Sequence, residues 1–469
     1  MNTKQVNAII DYGNNLIMSQ IFLDLIKDNS SRAEIMAKMH DEYDGAVSIK
    51  ERPALTGVNS NKANNKIANN YRGIIVDQCL AYAFGKPIKY QLSKELENNK
   101  SVQDTMREFA IDNKIDDLDY STAFYSSICG YGARLLYINK DDGRVKVMNL
   151  VPWEVIFVQD QTIEETQYAM IYYTIKEINP QNKQAITLRY IEWYDKERVY
   201  YYKETNSNSG LFAPDPEQPE QIHGFVGVPV VLYKNNNSMK GDFEGVRELI
   251  DGYDRLLSDA QNELEDFRNA YMLFKGVKPD VETIQNAKNT GAFGSEDPDI
   301  DVSFITKELD GTFLENQKTT INDNIFKFSK RVDMNDEKFS GDAQSGESRK
   351  WKLLALENDA TIKESKFRGA NLTLFKLLES LWIKSNRVPK DFYLNVQSVF
   401  MRNLPIDYLY YGDILTKYWG KVPKKIIYGL LPFIENVDEA LESMEEEEQV
   451  SVENYLNNQN ENENQNQNV

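Results

Sequence analysis

Between Asp242 and Lys275 the apolar positions advance by three and four without interruption: Phe243, Val246, Ile250, Tyr253, Leu257, Ala260, Leu264, Phe267 and Tyr271. That heptad spacing predicts a helix holding one stripe against a partner. At about 1.5 Å per residue the segment would reach roughly 50 Å. The opposite face is acidic, with Glu244, Glu248, Asp251, Asp254, Asp259 and Glu263 set against Arg247, Arg255 and Arg268. A rod packed on one side and wetted on the other suits a wall better than a small-molecule pocket.

The flanking pattern predicts an α+β chain of several domains. Residues 3–44 read as two helices broken near Asp28-Asn29-Ser30-Ser31, where a serine would cap the second. An Asn-rich loop leads to a helix of about 20 residues, which stops at Phe84-Gly85-Lys86-Pro87. A helical pair lies near 101–129. The period then changes to two: 134–138 and 145–148 flank Asp141-Asp142-Gly143, a hairpin turn. Further strands near 153–158, 166–175, 186–194, 198–203 and 225–233 are rich in Tyr and β-branched residues. The proline-rich stretch 213–219 is a loop among them, and Asn235 to Ser238 joins this region to the long helix.

Beyond Lys275 the pattern predicts a compact segment over 276–311, a helix over 312–331 and a polar loop over 332–346. A helix of almost 40 residues follows from Glu347 to about Ser385, with Ser345 as its N-cap. One more strand lies within 391–401. Residues 405–447 read as helical, broken at Gly420, Pro423 and Pro432. From Gln449 the Asn/Gln/Glu-rich composition predicts disorder.

Charge narrows the function. The 469 residues carry Lys+Arg 54 against Asp+Glu 73, a net −19, of which residues 438–469 supply −10 and the remainder −9. Broad phosphate neutralisation is therefore not this chain's way of meeting nucleic acid. Cys79 and Cys129 sit in apolar surroundings and read as buried thiols of a reducing compartment. The N-terminus lacks the features of a signal peptide, and no run approaches 18 apolar residues, so a soluble protein made inside the cell is expected.

Enzyme signatures are weak. His40 and His223 are the only histidines and stand far apart, which argues against a histidine-based metal centre or nucleophile–base pair. No compact carboxylate loop resembles a calcium site, and no cofactor is expected. Gly341 to Ser348 has the spacing of a phosphate-binding loop, but Glu347 stands where the lysine is needed and would repel phosphate.

A long acidic helix, a small module, a shorter helix, a polar loop and a very long helix make an unusual series. In that order the chain resembles the portal, or head-to-tail connector, proteins of tailed bacteriophages, in the branch of siphophages of Gram-positive hosts. Stretches that carry the likeness include Asn64 to Tyr71 with Phe84 to Ile88, Leu249 to Asp254 with Glu265 to Phe267, Ser345-Gly346, and Leu431 to Glu442. The likeness covers the chain to about Glu448. At Glu347-Ser348-Arg349-Lys350-Trp351-Lys352 the sequence departs from it, being more charged than the small apolar helix start of that family.

The resemblance implies a ring, usually of twelve copies, around a channel for double-stranded DNA. Residues 1–241, completed by 386–401, would be the wing. Stem helices 242–275 and 312–331 would flank a clip at 276–311, with a tunnel loop at 332–346, a long wing helix at 347–385, a helical crown at 402–448 and a tail at 449–469. Glu244, Arg247, Glu248, Asp251, Asp254, Arg255, Asp259 and Glu263 would line the channel. Phe243, Val246, Ile250, Tyr253, Leu257, Leu264 and Phe267 would form the seam between helices. Asn335, Asp336, Glu337, Lys338, Phe339, Ser340, Gly341 and Asp342 would face DNA. Implied partners are the terminase large subunit, head-completion or adaptor proteins, the major capsid and scaffolding proteins, and DNA in transit, with no membrane. The contrasting expectation is a coiled-coil scaffold or adaptor without a channel.

Overall fold

Two asparagines start the first two helices. Asn2 forms a capping box with Gln5 to open α1 (Thr3–Ile9), and the Asn14 side chain accepts from Leu16 and Ile17 to open α2 (Asn15–Tyr43). In the computed structural model the described residues are 1–444, without 58, 59, 61, 161–165, 179–182, 268–270, 277, 291–298, 306–310, 335–350, 352, 404–407, 432, 433, 435, 436, 438 and 439. The break expected at Asp28–Ser31 is absent. α2 runs straight through it, and the Ser30 hydroxyl donates back to the Lys27 carbonyl instead of capping a new helix. Its buried stripe, from Met18 through Leu25 to Met39, spans both halves, and packing overrides the weak local stop signal.

α3 (Tyr71–Ala83) is shorter than expected because the preceding segment is extended. It does end at the predicted glycine, for a steric reason: a Cβ on Gly85 would lie 2.2 Å from the Ala81 carbonyl oxygen. β1 (Lys89–Leu92), α4 (Lys100–Asn113) and α5 (Ile115–Cys129) follow. The hairpin β2 (Tyr131–Ile138) and β3 (Val145–Leu150) turns through Gly143 at φ +68. The remaining strands of this region are β4 (Val155–Gln159), β5 (Thr166–Ile178), β6 (Ala185–Tyr194), β7 (Arg198–Glu204), β8 (Phe212–Pro214), β9 (Glu220–Ile222) and β10 (Val230–Lys234). They form two sheets, one ordered β10-β2-β3 and the other β4-β5-β6-β7-β8, with β9 also on β7.

The long acidic segment is not one helix to Lys275. A 3-10 turn at Glu244–Val246 leads into α6 (Arg247–Phe267), and Tyr271–Lys275 is strand β11. β11 pairs antiparallel with β12 (Asp301–Ile305), and α7 (Val281–Thr290) lies between them in the chain. The Tyr-Met-Leu-Phe run extends the heptad on paper, but its aromatic and apolar residues suit a strand once a partner is present. α8 (Gly311–Ser329) matches expectation, and α9 (Leu354–Trp382) covers the described part of the long helix. β13 (Val396–Val399) returns to pair with β1, Lys89 opposite Val399. Residues to Asn403 form one compact unit; a second, from Leu404, contains α10 (Tyr408–Tyr418) and α11 (Lys424–Gly429).

The main core gathers α3, α5, α6 and α9, where Phe367 meets Phe84 at 4.8 Å and Trp382 meets Phe109 at 5.5 Å between ring centroids. A second core sets Phe22 of α2 among Trp193, Tyr202 and Phe212 of the larger sheet. Gly130 joins α5 to β2 at φ +90, and a Cβ there would lie 2.0 Å from the Met239 carbonyl oxygen. Gly130→Ala is expected to destabilise the chain by about 2–4 kcal/mol. Gly252→Ala in α6, where a Cβ meets nothing within 4 Å, should stabilise it by about 0.5–1 kcal/mol. Urea midpoints at unchanged slope would check both.

Candidate functional site: the charged helix and its anchors

The apolar stripe of α6 belongs first to its own subunit. Phe243, Val246 and Ile250 are fully buried in the main core. Tyr253 stands edge-on to Tyr71 at 5.1 Å, and Tyr71 in turn meets Phe326 of α8 at 5.9 Å. Leu257 is half-buried against the same core, whereas Leu264 is 54% exposed. The side chain of Phe267 lies outside the described residues. The first half of the stripe is thus packed within the chain, partly toward α8, and Leu264 alone of the described positions stays open.

An extended strap runs antiparallel along α6. The N–H groups of Asn65, Ile67 and Asn69 donate to Asn262 Oδ1 at 2.6 Å, Ser258 Oγ at 2.9 Å and Asp254 Oδ1 at 2.9 Å. Two residues of extended chain advance about 6.6 Å, and four residues of helix about 6.0 Å, so the two repeats stay in step over three contacts. Asn69 Nδ2 also donates to Asp254 at 2.8 Å. Asp254 is fully buried, so it faces the strap and not an outer acidic surface, correcting its expected place in a channel wall. Burial pushes its carboxyl pKa up, opposed by the Asn69 bonds and the charge of Arg72. Asp254, Ser258 and Asn262, small polar residues spaced by four, were the available sequence signal for this strap.

Other charges of α6 anchor its base. Arg247 donates twice to Glu42 of α2, at 2.6 and 2.8 Å, and buried Arg72 bridges Glu42 at 3.2 Å and Asp251 at 2.6 Å. Glu244 receives Arg32 Nη1 at 3.0 Å, while Arg32 Nη2 donates to the Cys129 and Met239 carbonyls at 2.8 Å. Asp259 is exposed and pairs with Arg52 at 2.8 Å. Glu263 is half-buried; Glu248 and Arg255 are exposed. Of the eight charges assigned to the channel, Glu244, Arg247, Asp251 and Asp254 are thus engaged in the fold, and Glu248, Arg255 and Asp259 are the well-exposed ones.

Immediately before α6 lies a buried ionic hub. Asp242 accepts Lys363 Nζ at 2.7 and 2.9 Å, Arg331 Nη2 at 2.8 Å and Asn235 Nδ2 at 2.8 Å. Arg331, just past α8, also donates to Asp359 at 2.9 Å and to the Ile75 carbonyl at 2.6 Å. Lys363 further reaches Ser127 Oγ at 2.9 Å. Cys79, Asp242 and Asp359 converge as three metal ligands would, yet Arg331 and Lys363 already supply the cations there. The hub fastens the entry to α6 and the exit of α8 onto α3, α5 and α9. The residues Asn335 to Asp342, expected to face DNA, lie outside the described residues.

The family described as "Phage portal protein, SPP1 Gp6-like" matches residues 24–454. A portal protein of Clostridium phage phiCD119 is 25% identical over 415 residues, spanning 83% of this chain and 86% of that protein. The portal protein of Bacillus phage SPP1 is 25% identical over 329 residues, spanning 68% of this chain and 62% of that protein.

Removing the charge at the hub should be costly, because it strands two buried cations. Asp242→Asn is expected to lose about 3–5 kcal/mol in urea unfolding. Burial pushes the Asp359 carboxyl up, but the charges of Lys363 and Arg331 outweigh it and hold it below the usual 3.8. Arg402 likewise holds Glu357 below 4.5 through hydrogen bonds. Both groups stabilise the fold fully above their ordinary values, and that contribution disappears as pH falls through the lowered ones. Thermal midpoints measured from pH 6 downward should therefore drop below about pH 4.5, and Glu357→Gln should flatten part of that drop.

Proposed function

This chain belongs to the SPP1 Gp6-like phage portal proteins, and on that premise we propose that its copies close into a ring through which double-stranded DNA is packaged and later ejected. Family membership over residues 24–454 carries the reading. α6 and α8 pack on one another through the Tyr71 cluster and have the small β11-α7-β12 module between them in sequence, as a stem pair with a clip would. Residues 1–241 with β13 serve as the wing, α9 as its long helix and the unit beyond Leu404 as the crown. The family is structural, and the chain's role is mechanical and electrostatic.

A conduit must not hold its cargo. Glu248, Asp259 and half-buried Glu263, repeated around a ring with Arg255 and the Arg52 that pairs Asp259, give a bore of small net negative charge that repels phosphates overall while offering sparse positive stations. Exposed Leu264 of α6 with Phe313 and Phe328 of α8 supplies apolar surface for heterologous contacts between neighbouring stems. The clip docks the terminase large subunit during packaging and head-completion or adaptor proteins afterwards; the wing meets the major capsid and scaffolding proteins. The same premise gives segment 335–342 the role of touching DNA, with Lys338 and Phe339 its contacting groups.

Twelve copies of a 54.2 kDa chain would form particles of roughly 650 kDa. Negative-stain microscopy and light scattering of the purified protein should show annuli of about that mass; a particle that stays monomeric at every concentration and salt would defeat the proposal. Glu248→Lys with Asp259→Lys should leave rings intact while reducing the DNA packaged per capsid several-fold, with the loss relieved by salt.

A further inference from the structure

A groove of about 570 Å³ lies between β10 and α9, closed on a third side by Gln159 and Thr166 at the ends of β4 and β5. Among the described residues no acidic side chain lines it, in a chain of net −19. Its walls carry Lys196, Lys234, Lys366 and Lys376, of which Lys196, Lys366 and Lys376 form no ion pair among the described residues, although 73 acids are available in the chain. Lys366, Gly369, Thr373 and Lys376 follow one stripe of α9, and a Cβ on Gly369 would meet nothing within 4 Å. Val226 and Leu372 on the rim are 68% and 44% exposed.

The groove also presents a strand edge. β10 is the outer strand of its sheet. The bonds Leu136 N–H to Pro229 O and Asn235 N–H to Gly130 O fix the alternation of the β10–β2 ladder. Odd-numbered residues of β10 therefore bond β2, and half-buried Leu232 on the groove wall turns its backbone N–H and C=O outward, as does Val230, which is 2% exposed. An outward edge beside apolar side chains and lysines is a template for an added strand.

We propose that this groove binds an extended, acidic segment of a separate protein by strand addition to β10, its backbone on Val230 and Leu232, its carboxylates on Lys196, Lys366 and Lys376. Charge complementarity selects the occupant: a neutral apolar peptide would leave the lysines unused, and a nucleic-acid backbone would leave the strand edge and Val226 uncovered. The acidic character of the chain as a whole directs an acidic partner to a basic groove such as this and away from acidic surfaces.

The probe is a fluorescent peptide alternating Val and Glu, titrated against the full-length protein and read by anisotropy. Saturable binding is expected, weakened at least about tenfold by the double variant Lys366→Glu, Lys376→Glu, which costs one or more 1.4 kcal/mol steps. Leu232→Pro should also weaken it, since it removes an outward N–H at an edge position that tolerates proline. Ring formation and thermal midpoint serve as separate readouts and should not change in the lysine variant, so this proposal and the portal reading fail independently. Absence of saturable binding overturns it, as does equal affinity for a Val–Lys peptide. Displacement by duplex DNA that itself requires the lysines would make the groove a nucleic-acid site, and loss of peptide binding in assembled rings alone would assign it to the neighbouring copy; either result also overturns it.

Discussion

One buried carboxylate, Asp242, ties the entry to α6 and the exit of α8 to α9. It neutralises Lys363 of α9 and Arg331 beyond α8 while standing five residues before α6 begins. Such a cluster is a poor source of net stability, because desolvating four charges offsets most of their attraction. What it supplies is geometry. Any movement of α6 or α8 relative to α9 would expose or separate opposite charges in a dry site, so the positions where the stem enters and leaves are fixed. A ring closed through α6 and α8, as proposed, would need that constraint, since an angular error at each root would multiply around it.

The strap at Asn65–Asn69 extends the same constraint along α6. Hydrogen bonds from three alternate amides to side chains spaced by four residues tie a strand-like segment to a helix, a contact that neither ladder nor coiled coil provides. The commensurate repeats of about 6 Å explain why it works over a short length and not a long one. Here the polar face of α6 becomes partly internal. An acidic helix face need not be a solvent face, and the distinction lies with what the rest of the chain brings to it.

That distinction marks how far the sequence could be read. Period-two and period-3.6 patterns located the hairpin at Gly143, strands β4 to β7 of the larger sheet, α8 and the core of α9, because burial there is one-sided and local, but read the segment holding β8 as a proline-rich loop and gave no signal for β9. The heptad stripe correctly identified Phe243, Val246 and Ile250 as packed positions. It did not reveal that Tyr71 and Phe326, distant in sequence, form the packing surface, and it carried the helix past Phe267 into β11. Strand pairing of β11 with β12 spans some 30 residues of chain, and no local signal encodes it. The hub was equally hidden: Asp242, Arg331, Asp359 and Lys363 are ordinary charges until folding brings them together.

The redistribution of charge also sharpens the channel argument. An acid face counted on paper would have placed Glu244, Asp251 and Asp254 in a bore, where they would add to repulsion and to the cost of bringing copies together. The fold instead spends those three on Arg32 and Arg72, and the exposed set reduces to Glu248, Asp259 and Arg255. If these residues face a channel as proposed, Arg52 offsets Asp259 and Arg255 offsets Glu248, which leaves half-buried Glu263 to give each copy a small net negative charge there, without a field so large that ring closure is opposed. On the proposed reading, sequestering part of its own acid within the subunit would let a chain of net −19 assemble with itself and still remain slippery to DNA.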